Sequence, residues 1–131
     1  MIALDASFLI ATFELRDEHH WAAVQTLPIV LPSDLVASAV TIGETLVRPL
    51  ATGRSQEIEE RLDGLGIVRR AVPEDAGLRL AQLRVATGLK LPDCCVLLAA
   101  QDAGATAVAS FDDPLRATAD GRGLALVPRT L

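Results

Sequence analysis

The sequence predicts an α/β protein in which helices flank a central, mostly parallel sheet of about four to five strands. Short apolar runs alternate with longer stretches of helical periodicity, which is the pattern of βαβ units. The chain is 50% hydrophobic, rich in Ala, Leu and Val, and contains no Tyr, a composition that favours helices over an all-β architecture. With 131 residues, we expect a single domain spanning residues 1–131.

The predicted strands are short apolar runs bounded by polar or turn residues. Residues 1–4 end directly at Asp5, which predicts a buried strand. Residues 29–31 predict a strand or a strand-like turn, and the remaining predicted strands are residues 67–68, Ala107–Ala109 and Ala125–Val127.

Helices are predicted between these strands. Ala6–Phe13 is an unbroken apolar run directly after the first strand. Residues 17–27 begin with acids, which favour a helix N-terminus, and Pro28 is expected to stop this helix. Residues 35–50 space their apolar side chains by three and four, so one helical face is expected to be buried, with a weakened end at Pro49.

The second half of the chain continues this alternation. Ser55–Gly64 is charged on most faces and only weakly amphipathic. Residues 73–87 predict a helix that stops at Gly88. Residues 92–103 predict a helix with a wholly apolar interior, which we expect to be buried on several sides, and residues 114–118 predict a short helix.

Composition also limits the functional classes. The formal net charge is −5, so the protein has no general attraction for nucleic acid, although bound cations can reverse the charge of an acidic site locally. The adjacent Cys94 and Cys95 form no CxxC motif and are expected to be small core residues in a reducing compartment. No basic leader precedes the first strand, and no apolar run approaches the ~20 residues of a membrane span. We therefore expect a cytoplasmic protein without a membrane association.

Four acids lie within or directly against apolar runs: Asp5, Glu44, Asp93 and Asp112. Carboxylates are rarely buried unless another group compensates their charge. Asp5 and Asp112 follow predicted strands, so both belong at the carboxyl edge of a parallel sheet, where ligands bind. Asp93 lies at a predicted helix N-terminus, and Glu44 lies within a predicted helix. If the fold brings the four together, a divalent cation is the natural compensator.

A set of three or four carboxylates without His or Cys is the one that Mg²⁺ and Mn²⁺ prefer. Such a site can activate water and neutralise the charge of a phosphodiester in the transition state. Ser7 and Ser110, each two residues from an acid, would add hydroxyl contacts to a carboxylate or a phosphate.

Each acid also has a purely structural interpretation. Asp93 and Asp5 could be helix caps, and Asp112 with Asp113 could form a turn that starts a helix. Glu44 could lie on an exposed helical face. The joint order and context of the four acids carry more information than any single one.

Other residues have mainly structural interpretations. His19 and His20 are expected on the surface, and Trp21 is expected to pack in a core or half-buried position. For the arginines in the middle of the chain we expect solvated charges or surface salt bridges, with some contacting the phosphates of a phosphodiester substrate. These are Arg48, Arg54, Arg61, Arg69, Arg70, Arg79 and Arg84.

Four segments together match a known family pattern: Ile2-Ala-Leu-Asp-Ala-Ser, Glu44 followed by Leu46, Leu91-Pro-Asp-Cys-Cys-Val-Leu-Leu-Ala-Ala, and Ser110-Phe-Asp. In order and spacing, and over essentially the whole chain, the sequence resembles PIN domains, specifically the VapC-like toxins of bacterial toxin–antitoxin pairs. The Leu-Pro-Asp segment that leads into an apolar helix is the most specific part of the resemblance.

The resemblance implies a PIN-like three-layer α/β/α fold and a Mg²⁺- or Mn²⁺-dependent endoribonuclease that hydrolyses RNA. It implies a cognate antitoxin that blocks the site, and commonly a homodimer. It also implies that the acidic quartet is catalytic and binds metal, accompanied by polar Ser7 and Ser110. Ser110 stands where Thr is frequent. The role of Asp113 is left open, because it follows the last acid directly and precedes Pro114.

Two other functions compete with this interpretation. An aspartyl-phosphatase-like enzyme would also place its nucleophilic Asp after the first strand. It usually needs an acid two residues later and a lysine, whereas position 7 is Ser and Lys90 is the only lysine. The other alternative is a non-catalytic binding module with a vestigial acidic site, against which stands the presence of all four acids.

Overall fold

The computed structural model describes residues 1–131, which form five parallel strands and seven helices. The strands are β1 (Ile2–Leu4), β2 (Leu35–Ser38), β3 (Val68–Arg70), β4 (Ala107–Ala109) and β5 (Ala125–Val127). The helices are α1 (Ala6–Phe13), α2 (His20–Val30), α3 (Ala39–Ala51), α4 (Ser55–Gly64), α5 (Gly77–Thr87), α6 (Leu91–Ala103) and α7 (Asp113–Gly121).

The strand order of the sheet is β3-β2-β1-β4-β5. In register, Ala3 of β1 lies opposite Val36 of β2, and Leu4 lies opposite Ala109 of β4. The chain therefore builds outward from β1 to β3 and then returns to add β4 and β5 on the other side of β1. The order reverses between β1 and β4, and in open α/β sheets such a switch point is where ligands bind.

Alternating residues of the strands point into two separate hydrophobic cores. Ile2 and Leu4 pack with Phe8 in the core that α1 to α4 cover. Ala3 points to the opposite face and packs in the core that α5 to α7 cover, together with Val96 of α6. Helices thus lie on both faces of the sheet, which confirms the predicted three-layer α/β/α fold.

Several elements lie where local signals predicted them. Helix α1 and strands β4 and β5 have the predicted bounds, and α6 begins one residue earlier than predicted. Pro92 in the first turn of α6 and Gly104 at its C-terminal cap, with φ of 69°, bound that helix, because Gly adopts a left-handed conformation without strain.

The prediction for residues 17–31 was wrong. Helix α2 begins only at His20 and continues through Pro28 to Val30, so there is no strand at residues 29–31. The carboxylate of Asp17 instead accepts a hydrogen bond from the His19 backbone N–H at 2.8 Å, in the turn before the helix. Pro28 is exposed, so the carbonyl that loses its helical donor there can be hydrated.

The single helix predicted at residues 35–50 was also wrong. Leu35–Ser38 is the buried strand β2, and the helix starts at Ala39. The Ser38 hydroxyl accepts the Val40 backbone N–H at 3.2 Å and so caps α3. A short apolar run has no periodicity that separates a buried strand from a buried helix, which explains the error.

The other differences are smaller. The helix predicted at 73–87 begins at Gly77, after a turn, and the one predicted at 114–118 extends over Asp113–Gly121. Cys94 and Cys95 are buried and unbridged, as predicted. No helix combines the length and apolar character that a membrane span requires.

The aromatic cluster around α2 differs from the prediction. Trp21 is 66% exposed and does not pack in the core. His19 is half-buried, and its ring stacks on Phe111 with centroids 4.6 Å apart. His20 is also half-buried, and its Nδ1 donates to the Ala11 carbonyl oxygen at 2.7 Å. The two histidines therefore link α2 to α1 and to the loop after β4.

The exposure of Trp21 predicts a small effect of its removal on stability. We expect Trp21→Gln to change the free energy of unfolding by less than about 0.5 kcal/mol, because little apolar contact is lost. Phe8→Ala, at a side chain that is 1% exposed, should cost about 3–5 kcal/mol by opening a cavity. Urea denaturation measures both changes. A loss above about 2 kcal/mol in Trp21→Gln would place that ring in the core after all.

Candidate active site

Asp5 occupies the switch point of the sheet. It follows β1, stands at the N-terminal cap of α1, and is only 4% exposed. Its backbone N–H donates to the Ala109 carbonyl oxygen at 3.0 Å, which extends the pairing of β1 with β4 by one residue. The fold therefore buries this carboxylate at the carboxyl ends of β1 and β4, where the strand order reverses.

Two serine hydroxyls hold one oxygen of the Asp5 carboxylate. Ser7 and Ser110 donate to Oδ2 at 2.5 and 2.8 Å. In turn, the Ser7 hydroxyl accepts the Phe111 backbone N–H at 2.9 Å, and the Ser110 hydroxyl accepts the Asp112 N–H at 3.0 Å. Each hydroxyl thus relays a backbone donor to the carboxylate, and such chains strengthen each member bond.

The second oxygen of Asp5, Oδ1, accepts no hydrogen bond from the protein. Oδ1 is also not fully enclosed by the protein. The fully enclosed side-chain polar atoms without a hydrogen-bond partner are Glu14 Oε1 and Thr41 Oγ1. Oδ1 is therefore available to a ligand while Oδ2 is fixed by the serines.

Asp112 caps a helix, as one interpretation of its sequence context predicted. It lies in the loop after β4, and its Oδ2 accepts the Leu115 backbone N–H at 3.0 Å, which caps α7. The charge of the same carboxylate contributes to the raised pKa of Asp93, so these two acids lie near each other. Asp113, the first residue of α7, is exposed and contributes to the shift of neither Asp93 nor Glu44.

Asp93 lies in the first turn of α6, but it does not cap the helix. The cap position is Lys90, which makes no side-chain capping bond, and the half-buried Asp93 carboxylate accepts no hydrogen bond. Burial, followed by the negative charges of Asp5 and Asp112, raises the pKa of Asp93 to about 6, while Lys90 acts in the opposite direction. A carboxylate without donors, crowded by like charges, is typical of a functional site.

Glu44, on α3, lies near Asp5 and Asp93. Partial burial of the carboxylate, and then the charges of Asp5 and Asp93, raise its pKa above the ordinary value. The residue as a whole is exposed, so solvent screens these effects more than it does at Asp93.

The four acids therefore converge from four different elements on one edge of the sheet. None of them forms a salt bridge with an Arg or Lys. The carboxylates do not form a closed coordination shell, since no three His, Cys, Asp or Glu side chains are arranged to hold an ion. Like charges stay apart unless a cation draws them together. The all-oxygen donor set, the free Oδ1 of Asp5 and the bare Asp93 carboxylate fit Mg²⁺ or Mn²⁺.

Sequence reasoning missed one residue that supports the site. Arg116 of α7 is 7% exposed. Its guanidinium donates to the carbonyl oxygens of Ser110 at 2.9 Å and of Arg129 at 3.2 Å. Burial lowers the pKa of Arg116 below its ordinary value, and Asp113 opposes this effect. Arg116 thereby ties the loop that carries Ser110 to the C-terminal segment, a role that no local sequence signal indicates.

The raised pKa of Asp93 predicts a pH effect on stability in the presence of a chelator. The folded protein holds a proton between the ordinary pKa of 3.8 and about 6, which the unfolded chain releases. The free energy of unfolding should therefore fall as pH rises through this range. Asp93→Asn, which cannot ionise, should melt at a higher temperature than the native protein at about pH 7.5, and this advantage should vanish near pH 4. The exposed Asp120→Asn serves as control, and a native protein at least as stable as Asp93→Asn at the higher pH would refute the prediction.

The buried Arg116 predicts a large effect on folding. Arg116→Met leaves two carbonyl oxygens without their charged donor, so we expect the free energy of unfolding to fall by about 2–4 kcal/mol. Arg122→Met, at an exposed position just after the same helix, should change it by less than about 0.5 kcal/mol. Urea denaturation separates the two variants, and equal, small losses would contradict the role of Arg116.

Comparison with known proteins identifies a solved structure with a similar fold and a matching family. The crystal structure of VapC20 from Mycobacterium tuberculosis, a toxin that cleaves the sarcin–ricin loop, is similar with a TM-score of 0.75 and 19% sequence identity, over 90% of this chain and 95% of that one. No curated protein matches the chain in sequence. The PIN domain model matches residues 2–121. Because that match covers most of the chain and includes all four acids, the protein belongs to the PIN domain family.

Proposed function

We propose that this protein is a divalent-metal-dependent endoribonuclease that acts as the toxin of a toxin–antitoxin pair. The observation that carries the proposal is the convergence of Asp5, Glu44, Asp93 and Asp112 at the switch point of the sheet, with mutual repulsion that no Arg or Lys relieves through a salt bridge. Membership in the PIN domain family and the fold similarity to VapC20 support the same class of function.

Asp5, Glu44 and Asp93 would hold one Mg²⁺ or Mn²⁺ ion, with Asp112 assisting or holding a second. When bound, such an ion supplies an activated water and positive charge against the phosphodiester. Ser7 and Ser110 keep the Asp5 carboxylate in one orientation through Oδ2. Arg116 holds the Ser110 carbonyl and so positions the loop on which Asp112 lies.

Biological partners follow from this proposal. The substrate is RNA, and the inhibitor is a cognate antitoxin protein that covers the acidic site. We also propose a homodimer, since the chain leaves large apolar side chains exposed on several helices, among them Trp21, Val47 and Val85. The RNA that VapC20 cleaves is a property of that toxin, and the target of this protein has to be determined separately.

The proposed mechanism predicts cleavage that depends on both metal and Asp5. Purified protein should degrade labelled RNA with Mn²⁺ or Mg²⁺ and not with a chelator. Asp5→Asn, nearly isosteric with the native residue, should lower the rate at least about 100-fold because a charged ligand is lost. Asp120→Asn, at the far end of α7, should retain the native rate.

Two outcomes would contradict this mechanism. Cleavage that persists with chelator, or in Asp5→Asn, excludes a catalytic role for the acidic site. Release of phosphate from a small ester, with RNA left intact, would favour the aspartyl-phosphatase alternative.

A further inference from the structure

A cleft with three arginines in its walls adjoins the candidate active site. It consists of two neighbouring cavities of about 330 and 100 Å³, which share Phe13, Glu14 and Arg48 in their walls. The larger cavity is also lined by Arg16 and Arg54. The smaller one reaches Glu44, so the cleft leads directly to one member of the acidic quartet.

The positive charges in this arginine cleft are largely unpaired. Arg16 and Arg48 are exposed, and neither guanidinium forms a salt bridge or a side-chain hydrogen bond. Arg54 lies 3.6 Å from Glu14 and 3.6 Å from Glu57, too far for a good hydrogen bond with either. The cleft therefore presents two free guanidinium groups and a third that its acids hold only loosely, in a protein whose net charge is −5.

Two surface arginines outside the cleft form close salt bridges. Arg79 contacts Asp102 at 2.6 Å, and Arg69 contacts Asp63 at 3.1 Å. These two surface arginines are paired with carboxylates, whereas Arg16 and Arg48 are not. The free guanidinium groups of the arginine cleft are available to an anion from outside the chain.

We propose that the arginine cleft binds the phosphates of the RNA strand that flank the cleaved bond. This inference rests on the proposed ribonuclease function and adds the path of the substrate. Arginine presents a planar fork of donors that matches phosphate oxygens. Arg48 follows Glu44 by four residues on α3, about 6 Å along the helix axis, so a phosphate held there belongs to a nucleotide next to the one at the acids.

RNA fits the arginine cleft better than an acidic protein segment, because the cleft is continuous with the site of the proposed chemistry. An RNA strand that is cleaved at the four acids must extend beyond them in at least one direction. Arg16 and Arg48, which have no acidic partners, line that continuation, where they offset the repulsion that the four carboxylates exert on a polyanion.

A binding experiment tests this inference independently of catalysis. Fluorescence anisotropy of a labelled single-stranded RNA is measured with chelator over a series of salt concentrations. The double variant Arg16→Gln/Arg48→Gln should bind at least about tenfold more weakly at low salt, with the slope of log Kd against log salt reduced by about 1 to 2. The matched control is Arg122→Gln, which lines another cavity together with Arg79, away from the four acids, and it should keep the native slope.

A kinetic experiment with Mn²⁺ completes the test. The double variant should show a raised KM for RNA with a nearly unchanged kcat, since the cleft binds flanking phosphates and not the reacting one. If the native protein cleaves RNA but the double variant keeps the native KM and salt slope, the inference fails while the proposed function stands. If the native protein cleaves no RNA, the proposed function fails. If the double variant keeps its RNA affinity but loses affinity for an antitoxin, the cleft is a protein-binding site and the inference is overturned.

Discussion

The repulsion among carboxylates gathered around the buried Asp5 is the interaction on which the rest of the site depends. The fold places Asp5 between β1 and β4 and fixes one of its oxygens with two serine hydroxyls. Burial, and then the negative charge of Asp5, raise the pKa values of both Asp93 and Glu44. Such an arrangement lowers the stability of the metal-free protein, as is common where function requires an unfavourable local environment. Under the proposed function, a divalent cation bound among these carboxylates would relieve the repulsion.

The scaffold explains why four distant segments can meet at one edge of the sheet. The sheet is entirely parallel and covered on both faces, so β1 and β4 are held by two independent cores. Helix α6 brings Asp93 to the edge where β1 and β4 end, and α3 brings Glu44. The loop after β4 is held from both sides, by Ser7 through the Phe111 N–H and by Arg116 through the Ser110 carbonyl. Side chains on rigid elements with fixed neighbours can keep a productive geometry.

Local signals were enough to predict α1, β4, β5 and the positions of Asp5 and Asp112 at the sheet edge, because each depends on a short run and its boundary. They failed where tertiary packing decides the conformation. Leu35–Ser38 is a strand because it pairs with β1 and β3, and nothing in its four residues distinguishes that from a helical start. The burial of Arg116, the stacking of His19 on Phe111 and the arginine cleft depend on residues far apart in sequence. The spacing of these residues in the sequence therefore could not predict their contacts.

The most direct test of the central claim is the position of a bound ion. Crystals of the protein grown with Mn²⁺ would be measured near the manganese absorption edge, where the anomalous signal locates the metal. The account predicts a peak at the carboxyl edge of the sheet, about 2.0–2.3 Å from oxygens of Asp5 and of at least one of Glu44, Asp93 and Asp112. A strong peak elsewhere on the protein, or none at this edge under conditions that support RNA cleavage, would contradict it.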